Sequence, residues 1–123
     1  MTARRKKILI VDDEVGVREL LKESLEQRGY DTATAADGEE GFEQASLLQP
    51  DLILLDLVMP KADGWQMLTR LRQQERTRNI LVVMLTAQSD TEALLRSAEQ
   101  KTLDYFIKPF NMDELLAYIG RYL

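Results

Sequence analysis

Four acidic residues, a threonine and a lysine stand where short apolar runs end. Ile8-Leu9-Ile10-Val11 is followed by Asp12, Asp13 and Glu14; Leu52 to Leu55 is followed by Asp56; Ile80 to Leu85 by Thr86; and Asp104 to Ile107 by Lys108. Singly, each has an ordinary explanation: Asp12 or Asp13 as a helix cap, Asp56 as a turn residue, Thr86 as a helix-entry residue, Lys108 as a solvated surface lysine. Together they would bring at least three carboxylates into one crevice, where like charges repel unless a cation binds or some carboxyls are protonated. Oxygen donors without softer ligands select a hard cation, and Mg2+ takes one or two carboxylates, several waters and a phosphate oxygen. A lysine and a hydroxyl at the same edge supply a cation and a hydrogen-bond donor to an incoming phosphoryl group. The chemistry indicated is phosphoryl transfer.

For these ends to meet, the apolar runs must be strands of one sheet. Five strand candidates alternate with five helical patterns, as in βαβ units around a parallel sheet. Lys7 to Val11 precedes a helix over about Val15 to Arg28, with Val17, Leu20, Leu21 and Leu25 at helical spacing and Gly29 as its stop. Tyr30 to Ala35 is a weaker strand, and Asp37 can cap a helix carrying Phe42, Ala45 and Leu48 toward Pro50. After Leu52 to Leu55, Met59 to Gly64 reads as a loop, and Trp65, Leu68 and Leu71 mark a third helix. Ser89 with Glu92 is a capping-box pattern opening a fourth helix with Leu94, Leu95 and Ala98 inward; the last follows Asn111 and bears Leu115, Leu116 and Ile119. The first, third and fourth strands are the continuous apolar ones, so the second and fifth belong at the edges. The expected fold is α/β and flavodoxin-like, a (βα)5 three-layer sandwich with a five-stranded parallel sheet in order 2-1-3-4-5. Ligands then bind at the carboxyl ends of the first and third strands.

A chain of 123 residues is the size of one ordinary domain, so residues 1–123 are expected to form a single unit. With no Cys and no His, disulfides, thiolate chemistry, Ser-His-Asp triads and the usual zinc sites are all excluded. A net charge of −5 argues against direct nucleic-acid binding, and the basic run Arg4-Arg5-Lys6-Lys7 reads as a solubilising lead into the first strand. The longest apolar run, Ile80 to Leu85, is far short of the roughly 20 residues that span a bilayer, so a cytoplasmic location without membrane contact is expected.

Four segments carry a family resemblance: Ile8 to Glu14, Asp51 to Gly64 with Asp56 inside it, Val83-Met84-Leu85-Thr86-Ala87, and Tyr105-Phe106-Ile107-Lys108-Pro109-Phe110. The chain resembles, over essentially its whole length, the response regulator receiver domain of two-component systems. An acidic pair, a lone Asp, a Thr and a Lys-Pro at the ends of strands one, three, four and five make that combination specific. The resemblance implies Asp56 as phosphoacceptor, with Asp13, Asp56 and the Val58 carbonyl ligating Mg2+ and Asp12 acting largely through water. It further implies that Lys108 pairs with the phosphoryl group, Thr86 hydrogen-bonds it, Tyr105 reports the switched state, and the Lys108-Pro109 peptide is cis. The sequence departs from the family pattern at Ala62, where Met is usual, and at Lys101-Thr102, where Gly-Ala is common. A third departure is Tyr118, where regulators that dimerise through the face of the last two helices usually carry Arg.

The function so implied is a phosphorylation switch rather than a turnover enzyme. The phosphoryl donor is a sensor histidine kinase or histidine phosphotransfer protein acting in trans. The face of the fourth helix, fifth strand and last helix then controls a downstream effector or output domain, and a phosphorylation-dependent homodimer is among the partners allowed. Two rivals are a pseudo-receiver that binds partners without phosphorylation and a Mg2+-dependent phosphohydrolase. The second places its nucleophile in an Asp-x-Asp pattern after the first strand, whereas Asp12 and Asp13 are adjacent. A flavin carrier is disfavoured because the first turn offers carboxylates where phosphate binding needs Gly, Ser and Thr.

Overall fold

Leu52–Asp56 is buried at all five positions, which only a strand covered on both faces and flanked on both edges can be. The computed structural model describes residues 5–57, 64–86 and 104–123. In chain order its elements are β1 (Lys7–Val11), α1 (Val15–Gln27), β2 (Asp31–Ala35), α2 (Gly38–Leu48), β3 (Leu52–Asp56), α3 (Gly64–Gln73), β4 (Leu81–Thr86), β5 (Asp104–Ile107) and α4 (Met112–Tyr122). The helix expected from Ser89 lies outside the described residues. All five strands are parallel in the order β2-β1-β3-β4-β5, with β3 between β1 and β4. The expected flavodoxin-like order is the one observed, and the polar runs are the edges.

Alternation along the strands builds a core on each face of the sheet. Leu9, Val11, Ile53, Leu55, Val82 and Met84 pack under α2 and α3 with Ala45, Trp65, Met67, Leu68 and Leu71. Ile8, Ile10, Leu52, Leu54, Val83 and Leu85 pack under α1 and α4 with Leu21, Leu25, Leu115, Leu116 and Ile119. Truncating one of these, such as Leu54→Ala, costs about 2–5 kcal/mol through lost burial and the cavity left behind. Leu20 departs from the expected inward stripe of α1 and is 56% exposed, because it lies one residue, about 100°, round the helix from buried Leu21.

The helix ends follow the predicted stops. Gly29 takes φ 91°, and the Gly29 and Tyr30 amides donate to the Glu26 and Leu25 carbonyls, a Schellman closure that returns the chain to β2. Asp37 accepts from the Glu40 amide at 2.9 Å and Asn111 from the Glu114 amide at 3.0 Å, capping α2 and α4. Since β1 leads to α1 on one face and β3 to α3 on the other, the chain parts at the carboxyl ends of β1 and β3 and leaves a crevice there. Among the described residues no helix is long and apolar enough to cross a membrane.

Candidate functional site

Val11 is the last residue of β1, and the turn into α1 is held by three bonds around Asp12. The Asp12 amide donates to the Ala35 carbonyl at 3.1 Å, and its Oδ1 accepts from the Glu14 amide at 2.9 Å. The Arg18 guanidinium donates from one turn into α1 to the Asp12 carbonyl at 2.7 Å. Asp12 is thereby buried to 1% exposure, while the neighbouring Asp13 is exposed. Across the crevice Asp56, the last residue of β3, is 5% exposed. One carboxylate oxygen from each of Asp12, Asp13 and Asp56 lies within 4.8 Å of the others.

Lys108 follows β5 directly, after a strand whose last residue pairs with Thr86. Its Nζ lies 2.7 Å from Asp12 Oδ2, 3.3 Å from Glu14 Oε1 and 3.5 Å from Asp56 Oδ2. Burial pulls the Lys108 ammonium down, but the hydrogen bond and charge of Asp12, the charge of Asp56 and the hydrogen bond to Glu14 outweigh it. The group therefore titrates above the ordinary lysine value. Three carboxylates thus share one ammonium and Asp13 stands beside them, an excess of negative charge that a bound cation would relieve. The donor set suits a hard one: all oxygens, in a sequence without His or Cys. Around Mg2+, with bonds of about 2.1 Å, octahedral ligand oxygens stand roughly 3–4 Å apart, so three oxygens within 4.8 Å fit the ion with small rotamer changes.

Of the residues singled out from sequence, Asp12, Asp13, Asp56 and Lys108 are brought together. Val58 lies outside the described residues, and Thr86 is placed by its backbone at the end of β4. Tyr105 opposes Met84 in the sheet and packs half-buried against the α2/α3 core, and the Lys108-Pro109 peptide is cis. Tyr118 meets the Phe106 ring edge-on at 5.3 Å and the Tyr122 ring at 5.0 Å.

Three contacts at the site have no counterpart in the sequence pattern. Glu14 stands in the acidic run after β1, and its carboxylate, 62% exposed, reaches Lys108 from 94 residues away, a pairing the sequence pattern does not indicate. Arg18 braces the acidic turn at a spacing no helical or strand period predicts. Gly64 ends the loop expected from the sequence and opens α3; its amide donates to the Leu57 carbonyl at 2.8 Å, and its α-carbon sits so close that a Cβ would collide with the Asp56 carbonyl and lie 2.7 Å from Leu57 Cα. A lone glycine opening a helical pattern was the available signal for that close approach.

Residues 8–120 match the family model of the response regulator receiver domain. The chain is 43% identical over 113 residues to the DNA-binding dual master transcriptional regulator RpaA of Synechocystis, a match covering 92% of this chain and 47% of that protein. It is 38% identical over 117 residues to sporulation initiation phosphotransferase F of Bacillus subtilis, covering 95% of this chain and 93% of that one. The chain thus spans about half the length of RpaA-sized relatives and nearly all of the phosphotransferase. Among solved structures, the chemotaxis protein CheY4 of Vibrio cholerae superposes with a TM-score of 0.90 at 30% identity, covering 98% of this chain and 100% of that one.

Proposed function

The chain belongs to the response regulator receiver domain family of two-component signalling, and on that premise we propose that it is a phosphorylation switch whose acceptor is Asp56. The observation that carries this is the setting of one carboxylate. Asp56 is nearly buried, stands within 4.8 Å of oxygens of Asp12 and Asp13, and has the Lys108 ammonium 3.5 Å away.

In the proposed reaction an Asp56 oxygen attacks the phosphorus of a phosphohistidine on a partner protein. The P–O bond forms as the P–N bond breaks, the histidine leaves, and Asp56 becomes an acyl phosphate. The sequence contains no His, so the donor lies outside these 123 residues; a sensor histidine kinase or histidine phosphotransfer protein fits. Lys108 places positive charge beside the oxygens of the transferring group, and the Thr86 hydroxyl is assigned as a further donor to them. Asp12, Asp13, Asp56 and the Val58 carbonyl would hold Mg2+, which when bound neutralises and orients the phosphoryl oxygens. Residues 1–123 act as one unit that is modified stoichiometrically rather than turning over substrate.

For output, Thr86 and Tyr105 belong to paired strands, so a hydroxyl drawn toward the phosphoryl group frees space for the Tyr105 ring. The face bearing β5 and α4 then repacks for an effector or output domain. Phosphorylation shifts this balance only by its differential interaction with the two arrangements, typically about 1–3 kcal/mol. DNA binding, which the name of RpaA carries, is assigned here to no part of this chain.

The test is incubation with a small acyl phosphate and Mg2+ followed by intact mass. One phosphoryl group per chain is expected, lost in Asp56→Asn and in chelator. A chain that takes no phosphoryl group would be a phosphorylation-independent binding module. Steady hydrolysis of a phosphate ester would make it a phosphohydrolase, and full modification of Asp56→Asn would move the acceptor elsewhere.

A further inference from the structure

An ammonium has three N–H donors, and all three of those on Lys108 face carboxylates: Asp12 at 2.7 Å, Glu14 at 3.3 Å and Asp56 at 3.5 Å. A phosphoryl group arriving on Asp56 can take over the donor that faces Asp56, but it brings more than one charge and several acceptor oxygens, and a second contact to Lys108 requires one of the other two to open. The three are not equal. The Asp12 bond is the shortest and its side chain is 1% exposed, so breaking it would strand a buried charge. The charge of the Asp56 carboxylate passes on acylation to the phosphoryl oxygens, so its contact is handed on to them rather than lost. The Glu14 side chain is 62% exposed, and water replaces its lost partner at little cost.

We propose that Glu14 is a positioning residue for Lys108, the exchangeable third partner that holds the ammonium at the rim of the crevice and yields its place to the phosphoryl oxygen. The inference rests on the reading of Asp56 as acceptor and adds a residue that sets how readily the site fills. Glu14 thus acts as a competitor: its carboxylate favours the unmodified state by occupying the donor that the modified state needs.

The test is a double-mutant cycle read with beryllofluoride, a phosphoryl mimic, in the presence of Mg2+. Glu14→Gln keeps the side-chain shape and removes the charge; it is expected to tighten beryllofluoride binding about two- to fivefold, the range of a solvent-exposed ion pair. In a Lys108→Ala background the same substitution is expected to change nothing. Glu14→Asp, one methylene shorter, is expected to tighten binding by a smaller factor. Unchanged or weaker binding in Glu14→Gln overturns the proposal, as does a gain that persists without Lys108, which would make Glu14 a diffuse charge effect. A second readout needs neither metal nor mimic: the Lys108 ε-methylene NMR signals of the free protein shift in Glu14→Gln. If wild type takes no mimic, the acceptor reading fails, and the Lys108 signals still decide the proposal, because their standing still in Glu14→Gln overturns it.

Discussion

β3 is preceded by one aspartate and ends at another, and the two are treated in opposite ways. Before the strand, Asp51 Oδ2 accepts the Lys7 amide at 2.8 Å while its own amide donates to the Lys7 carbonyl at 2.8 Å, closing a ring that staples β3 to β1. Asp31, on the same amino edge, has Arg5 at 3.9 Å. At the other end Asp56 shares one ammonium with Asp12 and Glu14 and crowds against Asp13. The amino edge satisfies its carboxylates locally and is structural. The carboxyl edge leaves an excess of negative charge, and an unmet electrostatic demand of this kind is what a metal or phosphoryl site requires.

The largest expected effect breaks the comparison outright. Asp56→Asn should reduce phosphoryl incorporation from one group per chain to none while raising metal-free stability by about 1 kcal/mol, since a repelling charge is removed. Asp51→Ala should do the reverse, leaving intact-mass phosphorylation unchanged and lowering stability in urea by about 1–2 kcal/mol through the lost charged hydrogen bond. Equal phosphorylation of the two variants would erase the distinction between the ends of β3.

Next in size is Gly64→Ala. A methyl group there meets the backbone of Asp56 and Leu57 rather than a flexible side chain, so a loss of about 2–3 kcal/mol in chemical denaturation is expected, with weaker phosphorylation of the folded fraction. Wild-type stability would show that the β3 end yields and is not held by this contact.

Asp13→Ala should weaken Mg2+ binding about tenfold, roughly 1.4 kcal/mol, whereas Glu14→Ala should change it far less because Glu14 faces Lys108. Titration followed by the fluorescence of Trp65, the single tryptophan, reads both. Equal losses would merge Glu14 with the metal-facing group.

The smallest effect is in pH. Because the folded state raises the Lys108 pKa, its stabilising contribution is whole below the unfolded lysine value of about 10.4 and fades as pH rises through the folded one. Wild type should therefore lose more stability than Lys108→Met as pH rises above the ordinary lysine value, and parallel urea curves would remove the charge contact from the account of the carboxyl edge.

The sheet and its edges were legible in residue type alone. β3 is continuously apolar from Leu52 to Leu55 and had to be central, whereas Asp31–Ala35, with two threonines, had to be an edge; burial on two faces or one is written into residue type. The strand-end positions of Asp12, Asp56 and Lys108 were legible for the same reason, since a parallel sheet brings all carboxyl ends to one edge. Contacts with no period to betray them were fixed by packing instead. Arg18 turns back on the Asp12 carbonyl, Glu14 meets Lys108 across 94 residues, and Gly64 lies against the backbone of Asp56. Hydrophobic pattern reports which face of an element is dry. The partner of a polar side chain is chosen by distance after the elements have packed, and that distance exists only in the folded molecule.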